Sequence, residues 1–179
     1  MLTSLLALFA LGGSVVLLAA RLLETRSASA RALTDVARDA GLWLATLVAI
    51  VATAGSLYFS ESAGFVPCRL CWFQRIAMYP LGVILLVAAI RKDRDVRWYV
   101  VPVASLGLIV SGYHMLLEWK PSLEGGACGV GPSCADIWFR EFGFVTLAVM
   151  AACGFIAIIT LVMMTATTPH PDHLTEENP

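Results

Sequence analysis

The stretch Cys68-Arg-Leu-Cys71-Trp-Phe-Gln-Arg75-Ile-Ala-Met-Tyr-Pro80 opens on a cysteine pair and continues into an apolar run that ends near residue 90. The part from 72 to 90 is close to the ~20 residues that cross a bilayer core. Four more runs of that kind lie at about 2–22, 41–59, 98–117 and 142–164. All are continuously apolar rather than alternating, which argues for helices and against spanning strands. Composition agrees: 59% of the 179 residues are hydrophobic, 14% are charged, and mean hydropathy is +0.80. A soluble domain of this size needs far less apolar surface, and no polar stretch is long enough to bury a core of its own. The predicted fold is an all-α, polytopic membrane protein. Residues 41–164 form a four-helix bundle with the CxxC at the start of its second helix. Residues 1–40 add an extra N-terminal transmembrane helix and a basic linker, and 165–179 form a polar tail predicted to be disordered.

The net charge of -1 hides an asymmetry. Arg21, Arg26, Arg31 and Arg38 follow the first run, and Arg91-Lys92-Asp93-Arg94-Asp95-Val96-Arg97 joins the third to the fourth. The positive-inside rule predicts that both are cytoplasmic. The cysteine-bearing loops carry fewer basic residues (Arg69, Lys120, Arg140) and are predicted to face outward, with the N-terminus outside and the C-terminus inside. Trp98 and Tyr99 suit the inner boundary; Tyr58, Trp72, Trp119 and Trp138 suit the outer one. Nothing in this charge pattern serves nucleic acid. Ala28-Ser29-Ala30 resembles a signal cleavage site, but no basic residue precedes the first run, and that run exceeds the usual ~7–15-residue signal core. Cleavage would also turn the basic 91–97 loop outward, so the first run reads as a retained helix. His170 and His173, in the proline-containing tail, read as solvated side chains rather than a metal pair.

Cys153, inside the last run, fits a buried small side chain. Cys68, Cys71, Cys128 and Cys134 sit at a helix start or in a loop, on the face where disulfides persist. At Cys71 the free N–H groups and dipole of a helix start favour a thiolate. Arg75, four residues on and on the same face, adds positive potential and offers hydrogen bonds to an acceptor oxygen; the alternative is an arginine snorkelling to head groups. Gln74 is either a ligand contact or a packing hydrogen bond. His114, in Tyr113-His114-Met115-Leu116-Leu117-Glu118 at the outer end of the fourth run, is predicted at the depth of Arg75. There the two converge on one ligand, or His114 merely packs. Cys128-Gly-Val-Gly-Pro-Ser-Cys134 is a mobile redox loop or a static disulfide. Two pairs on one face favour exchange, because thiol–disulfide exchange hands a disulfide from pair to pair. Residues 135–142 mix Trp138, Phe139 and Phe142 with Asp136, Arg140 and Glu141, a pattern that suits a short interfacial helix. Gly107, Ser111 and Gly112 allow close helix contact.

The Cys68–Pro80 stretch, Tyr113-His114 with Glu118, the Cys128/Cys134 pair and Phe142-Gly-Phe-Val-Thr146 together resemble the DsbB-like quinone-coupled disulfide-bond oxidases of bacterial membranes. The short gap in the second pair resembles the compact Gram-positive, BdbC-like type. The resemblance covers roughly residues 41–164 and leaves the first run as an addition to a typically four-helix family. It implies a protein dithiol:quinone oxidoreductase of the bacterial plasma membrane. By it, Cys128 exchanges with an extracytoplasmic thioredoxin-like (DsbA-like) protein, and Cys134 resolves the exchange and passes electrons to Cys68. Cys71 faces the quinone (ubiquinone or menaquinone), with Arg75, His114 and Gln74 at its head. The related vitamin-K-epoxide-reductase group has its loop pair before its CxxC, the reverse of the order here. Two other classes compete: a metal-binding membrane protein using the four thiolates and His114 as a soft site, and a structural membrane protein with two inert disulfides.

Overall fold

The computed structural model describes residues 1–126, 128–129 and 131–165; the tail and its two histidines lie outside the described residues. Among the described residues, five helices are each long and apolar enough to cross a membrane. They are α1 (Leu2–Leu23), α2 (Ala28–Leu57, continued by a π-helical turn Tyr58–Ser62), α3 (Arg69–Arg91), α4 (Arg97–Trp119) and α5 (Leu147–Thr165). Among the described residues there is no strand, only an isolated bridge between Glu141 and Val145. The all-helical membrane fold read from the sequence is therefore the fold observed. α3 and α4 run unbroken past Pro80 and Pro102.

Two boundaries differ from those expected. α2 starts at Ala28, well before residue 41, so most of the basic linker is helical. Arg38 holds this first part by ion pairs to Asp35 (2.8 Å) and to Glu24 at the α1 end (3.0 Å). α5 starts at Leu147 rather than 142. Phe142 (φ 54°) and Gly143 (φ 80°) take left-handed conformations in the turn that closes the Glu141–Val145 bridge. Thr146 Oγ1 then accepts the Val149 N–H at 3.4 Å, a side-chain cap for the new helix. The interfacial helix expected over 135–142 is absent. That segment is pinned in irregular form by aromatic stacking: Trp138 on Phe65 at 5.0 Å and Phe139 against Phe59 at 5.5 Å.

α5 is the hub, packing on α1, α2 and α4, while α3 lies against α2 and α4. Small residues on α5 (Ala148, Ala152, Gly154, Ala157) permit the close approach, as they do in membrane bundles generally. Between α4 and α5 the fully buried ring of Phe155 fills the space that Gly107 leaves open, and a Cβ on Gly107 would overlap it. Leu81, Leu85, Val100, Ile158 and Val162 complete this core. Large apolar side chains such as Phe9, Val83, Leu106 and Ile109 instead point outward, the surface a bilayer covers. Gly107→Ala is expected to cost ~1–3 kcal/mol through overpacking. A lowered thermal midpoint of the detergent-purified protein would register this; an unchanged midpoint would mean the helix pair separates freely.

Candidate active site

Residues 64–68 run without helical structure into α3, and Cys68 caps that helix with its own sulfur. Cys68 Sγ accepts the Cys71 backbone N–H at 3.3 Å and lies 2.7 Å from Cys71 Sγ, both cysteines being free. The sulfur that meets the free N–H groups of the helix start is that of Cys68, where helix position pointed to Cys71 as the favoured thiolate: an N-cap side chain, one residue outside the helix, is the one that reaches back to those groups. The Cys68 thiol is lowered to about 4, chiefly by the hydrogen bond from the Cys71 thiol; burial pushes the other way, and His114 and the Cys71 N–H add to the lowering.

His114, on α4, reaches this pair. Its Nε2 lies 3.8 Å from Cys68 Sγ and its Nδ1 lies 3.3 Å from Gln74 Nε2. An amide NH₂ donating to Nδ1 leaves the ring proton on Nε2, aimed at the sulfur. One turn further along α4, Glu118 is buried and accepts a hydrogen bond from Thr146 Oγ1 at 2.7 Å.

Cys128 and Cys134 are joined by a disulfide with Cα atoms 6.0 Å apart. Glu124 organises their loop: Ser133 Oγ donates to Oε2 (2.7 Å) and the Cys134 N–H donates to Oε1 (3.0 Å). The same contacts, Ser133 foremost, hold the Glu124 carboxyl below its usual range. Gly129, at φ +66°, turns the chain directly after Cys128, close to the Arg69 guanidinium. The loop is therefore packed rather than free. Cys128, Cys134, Cys68, Leu70 and Leu117 form one buried group, with Cys71 against it. The two pairs, far apart in sequence, share one end of the bundle.

Two cavities meet at Cys71. The smaller, about 10 Å³, has room for about one water and is lined by Cys68, Cys71, His114, Glu118, Asp136 and Trp138 among others. The larger, about 500 Å³, lies between α1, α2, α3 and α5, within the size range of small-molecule sites. Cys71, Gln74, Arg75 and Tyr79 line it beside Phe65 and Trp138, and most of the remaining wall is aliphatic. Arg75 is held there by Ser56 on α2, donating from Nε to the hydroxyl (3.0 Å) and from Nη2 to the carbonyl (3.1 Å). Tyr79 donates to the same hydroxyl at 3.3 Å, and Arg75 lies over Trp72 at 5.3 Å. Guanidinium and amide donors on the wall of an apolar cavity fit a flat, carbonyl-bearing head on an apolar body.

The expected site residues are thus brought together, with one division. Arg75 lines the larger cavity and His114 the smaller, so they face different spaces, while Gln74 lines the larger and touches His114. Ser56 and Glu124, which position Arg75 and Cys134, carry no motif that sequence reading detects; each acts through a contact distant in sequence. A single four-thiolate metal site does not fit this arrangement: among the described residues Cys68, Cys71 and His114 form one group, while Cys128 and Cys134, bonded to each other, lie in a separate group with Glu124.

Residues 38–166 match the family described as disulfide bond formation protein DsbB. The chain is 43% identical over 119 residues to disulfide bond formation protein C of Bacillus subtilis, covering 66% of this chain and 86% of that protein. It is 42% identical over 118 residues to a probable disulfide formation protein C 2 of Bacillus anthracis (66% and 84% covered). A probable disulfide formation protein of Deinococcus radiodurans is 52% identical over 98 residues (55% and 64% covered). No solved structure matches.

Proposed function

The chain belongs to the DsbB family of disulfide bond formation proteins, and from that premise we propose that it oxidises an extracytoplasmic thioredoxin-like (DsbA-like) protein and passes the electrons to a membrane quinone. It is a multi-pass membrane disulfide oxidoreductase; the proposal adds donor, acceptor and direction. The observation that carries it is the position of Cys71, on the walls of both the small cavity that Ser133 of the cysteine loop also lines and the large apolar one beside Arg75.

In this reading the cysteine loops face outward from a bacterial plasma membrane and the C-terminus lies in the cytoplasm, as the basic stretches at 21–38 and 91–97 favour. A thiolate of the reduced partner attacks Cys128, forming a mixed disulfide and releasing Cys134 as thiolate. The partner's second thiol displaces Cys128, and the partner leaves oxidised. Cys134 attacks Cys68 of an oxidised Cys68–Cys71 pair, and Cys71 leaves. Cys128 then closes on Cys134, restoring the loop disulfide and leaving the CxxC reduced. Each exchange proceeds through a thiolate, which is why the low Cys68 value matters. When bound, the quinone, ubiquinone or menaquinone, supplies the acceptor for two electrons and two protons. Cys71 gives up electrons on that side, Cys68 closes the disulfide behind it, and Arg75 and Gln74 donate hydrogen bonds to the head. His114, which the sequence also set at the head, faces Cys68 and holds its thiolate.

The test supplies reduced thioredoxin-like protein and quinone to the purified protein without oxygen. Quinol is expected to appear as partner dithiol disappears, one for one; no quinol above the protein-free control would overturn the reading. In the same assay Arg75→Ala is expected to raise the quinone KM by about tenfold or more, the loss of a hydrogen bond from a charged donor, with partner capture unchanged. An unchanged KM would leave Arg75 as a membrane-edge anchor.

A pH measurement tests the Cys68 assignment. Because its value is lowered, the thiolate is present above about pH 4 and is lost as pH falls through it. The ultraviolet thiolate absorbance of protein reduced at the CxxC, taken as the difference from Cys68→Ser, is expected to persist to that acidity. His114→Ala is expected to move the midpoint upward; an ordinary thiol midpoint in the unsubstituted chain would remove the thiolate from the mechanism.

A further inference from the structure

α1 lies outside the part of the chain that matches the family, yet it is built into the larger cavity. Thr3, Leu6, Ala10, Gly13, Ser14 and Leu17 form part of the cavity wall. From Thr3 to Leu17 is about 21 Å of helix rise. The register of α1 is fixed against α5: Ser4 Oγ contacts Met150 Sδ at 3.7 Å near the start of α5, and Arg21 donates to the Met163 carbonyl at 3.4 Å near its end. The α1 wall therefore begins level with the CxxC end of the bundle and descends away from Cys71 and Arg75 into a purely aliphatic region, bounded by Leu44, Val48 and Leu161. Ser14 turns its hydroxyl back onto the Ala10 carbonyl at 2.8 Å, so it offers the cavity little polarity. We infer that α1 is the wall of the hydrocarbon-tail site, and that its small residues set how long a tail the protein accepts behind a quinone head held at Arg75. This rests on the quinone reading above and adds to it a specificity element.

Gly12 and Gly13 give a matched test. A Cβ at either position meets no atom within 4 Å, so both positions have open space at the base of a side chain, but only Gly13 lines the cavity. The measurement is equilibrium binding, without partner or turnover, read by quenching of tryptophan fluorescence. The probes are quinones of one head group, with either no isoprenoid tail or a long one. The unsubstituted chain is expected to bind the long-tailed quinone more tightly. Gly13→Phe is expected to weaken that binding by about tenfold, a loss of buried apolar contact, leaving the tailless quinone unaffected. Gly12→Phe is expected to change neither. Equal affinities for the long-tailed quinone in Gly13→Phe and the unsubstituted chain would overturn the inference, as would equal effects at Gly12 and Gly13. If the unsubstituted chain bound no quinone of either kind, the quinone reading itself would fall, and this inference with it.

Discussion

Cys71→Ser is expected to stop quinol formation, lowering the rate by a factor on the order of 10⁴ or more, as removal of an essential reacting group does. Cys71 is the one cysteine on the wall of the larger cavity among the described residues, whereas Cys68 lines only the smaller one. Among the described residues no other thiol is placed to deliver electrons there. The substitution leaves the loop disulfide and its Glu124 clasp intact, so the variant is expected still to form a mixed disulfide with a partner protein. That second readout separates a broken relay from a misfolded chain. Following quinol by absorbance and the mixed disulfide on a non-reducing gel decides it: normal quinol production would contradict the role given to Cys71.

Cys128→Ala is expected to abolish capture of the partner and reduce turnover to the level of the protein-free control. The two loop sulfurs are not equivalent, since Cys128 is 6% exposed and Cys134 fully buried. An incoming thiolate needs a line of approach to the sulfur it attacks, and Cys128 is the more accessible. Cys134→Ala leaves Cys128 as a lone thiol and is also expected to stop turnover. When it is mixed with the oxidised partner, however, the Cys128 thiolate is expected to open the partner's disulfide and hold a partner–Cys128 mixed disulfide, the partner's other sulfur leaving as a thiolate. Capture by the Cys128→Ala protein, or its absence from Cys134→Ala, would reverse the order of the pair.

Much of this was legible in the sequence because bilayer thickness and disulfide chemistry impose local rules. Continuous apolar runs announced the spanning helices, and the Cys68–Arg75 stretch announced a redox pair entering one of them. What sequence periodicity could not reach depends on contacts between distant elements. A helix start favours a thiolate, but whether the favoured sulfur is Cys68 or Cys71 turns on which side chain bends back to cap. Arg75 and His114 line different cavities because Ser56 draws the guanidinium toward α2 while Gln74 holds the imidazole beside Cys68, a choice between two readings that the sequence left open. Residues 135–142 had the composition of an interfacial helix, yet stacking of Trp138 on Phe65, before α3, and of Phe139 on Phe59, in the turn that continues α2, outweighed it. Residue pattern marked α1 as a span, but only its packing reveals that it shares a cavity with Cys71 and Arg75.

In the proposed relay both sulfur pairs empty into one lipid-soluble acceptor through Cys71. The relay is tested most directly by adding excess quinone to the fully reduced protein, without oxygen or partner, and counting the thiols that remain. All four thiols of Cys68, Cys71, Cys128 and Cys134 are expected to be lost, with two quinols formed per chain and Cys153 left reduced. If the loop thiols persisted while Cys68 and Cys71 were oxidised, or if no thiol were lost, the two pairs would not form one path.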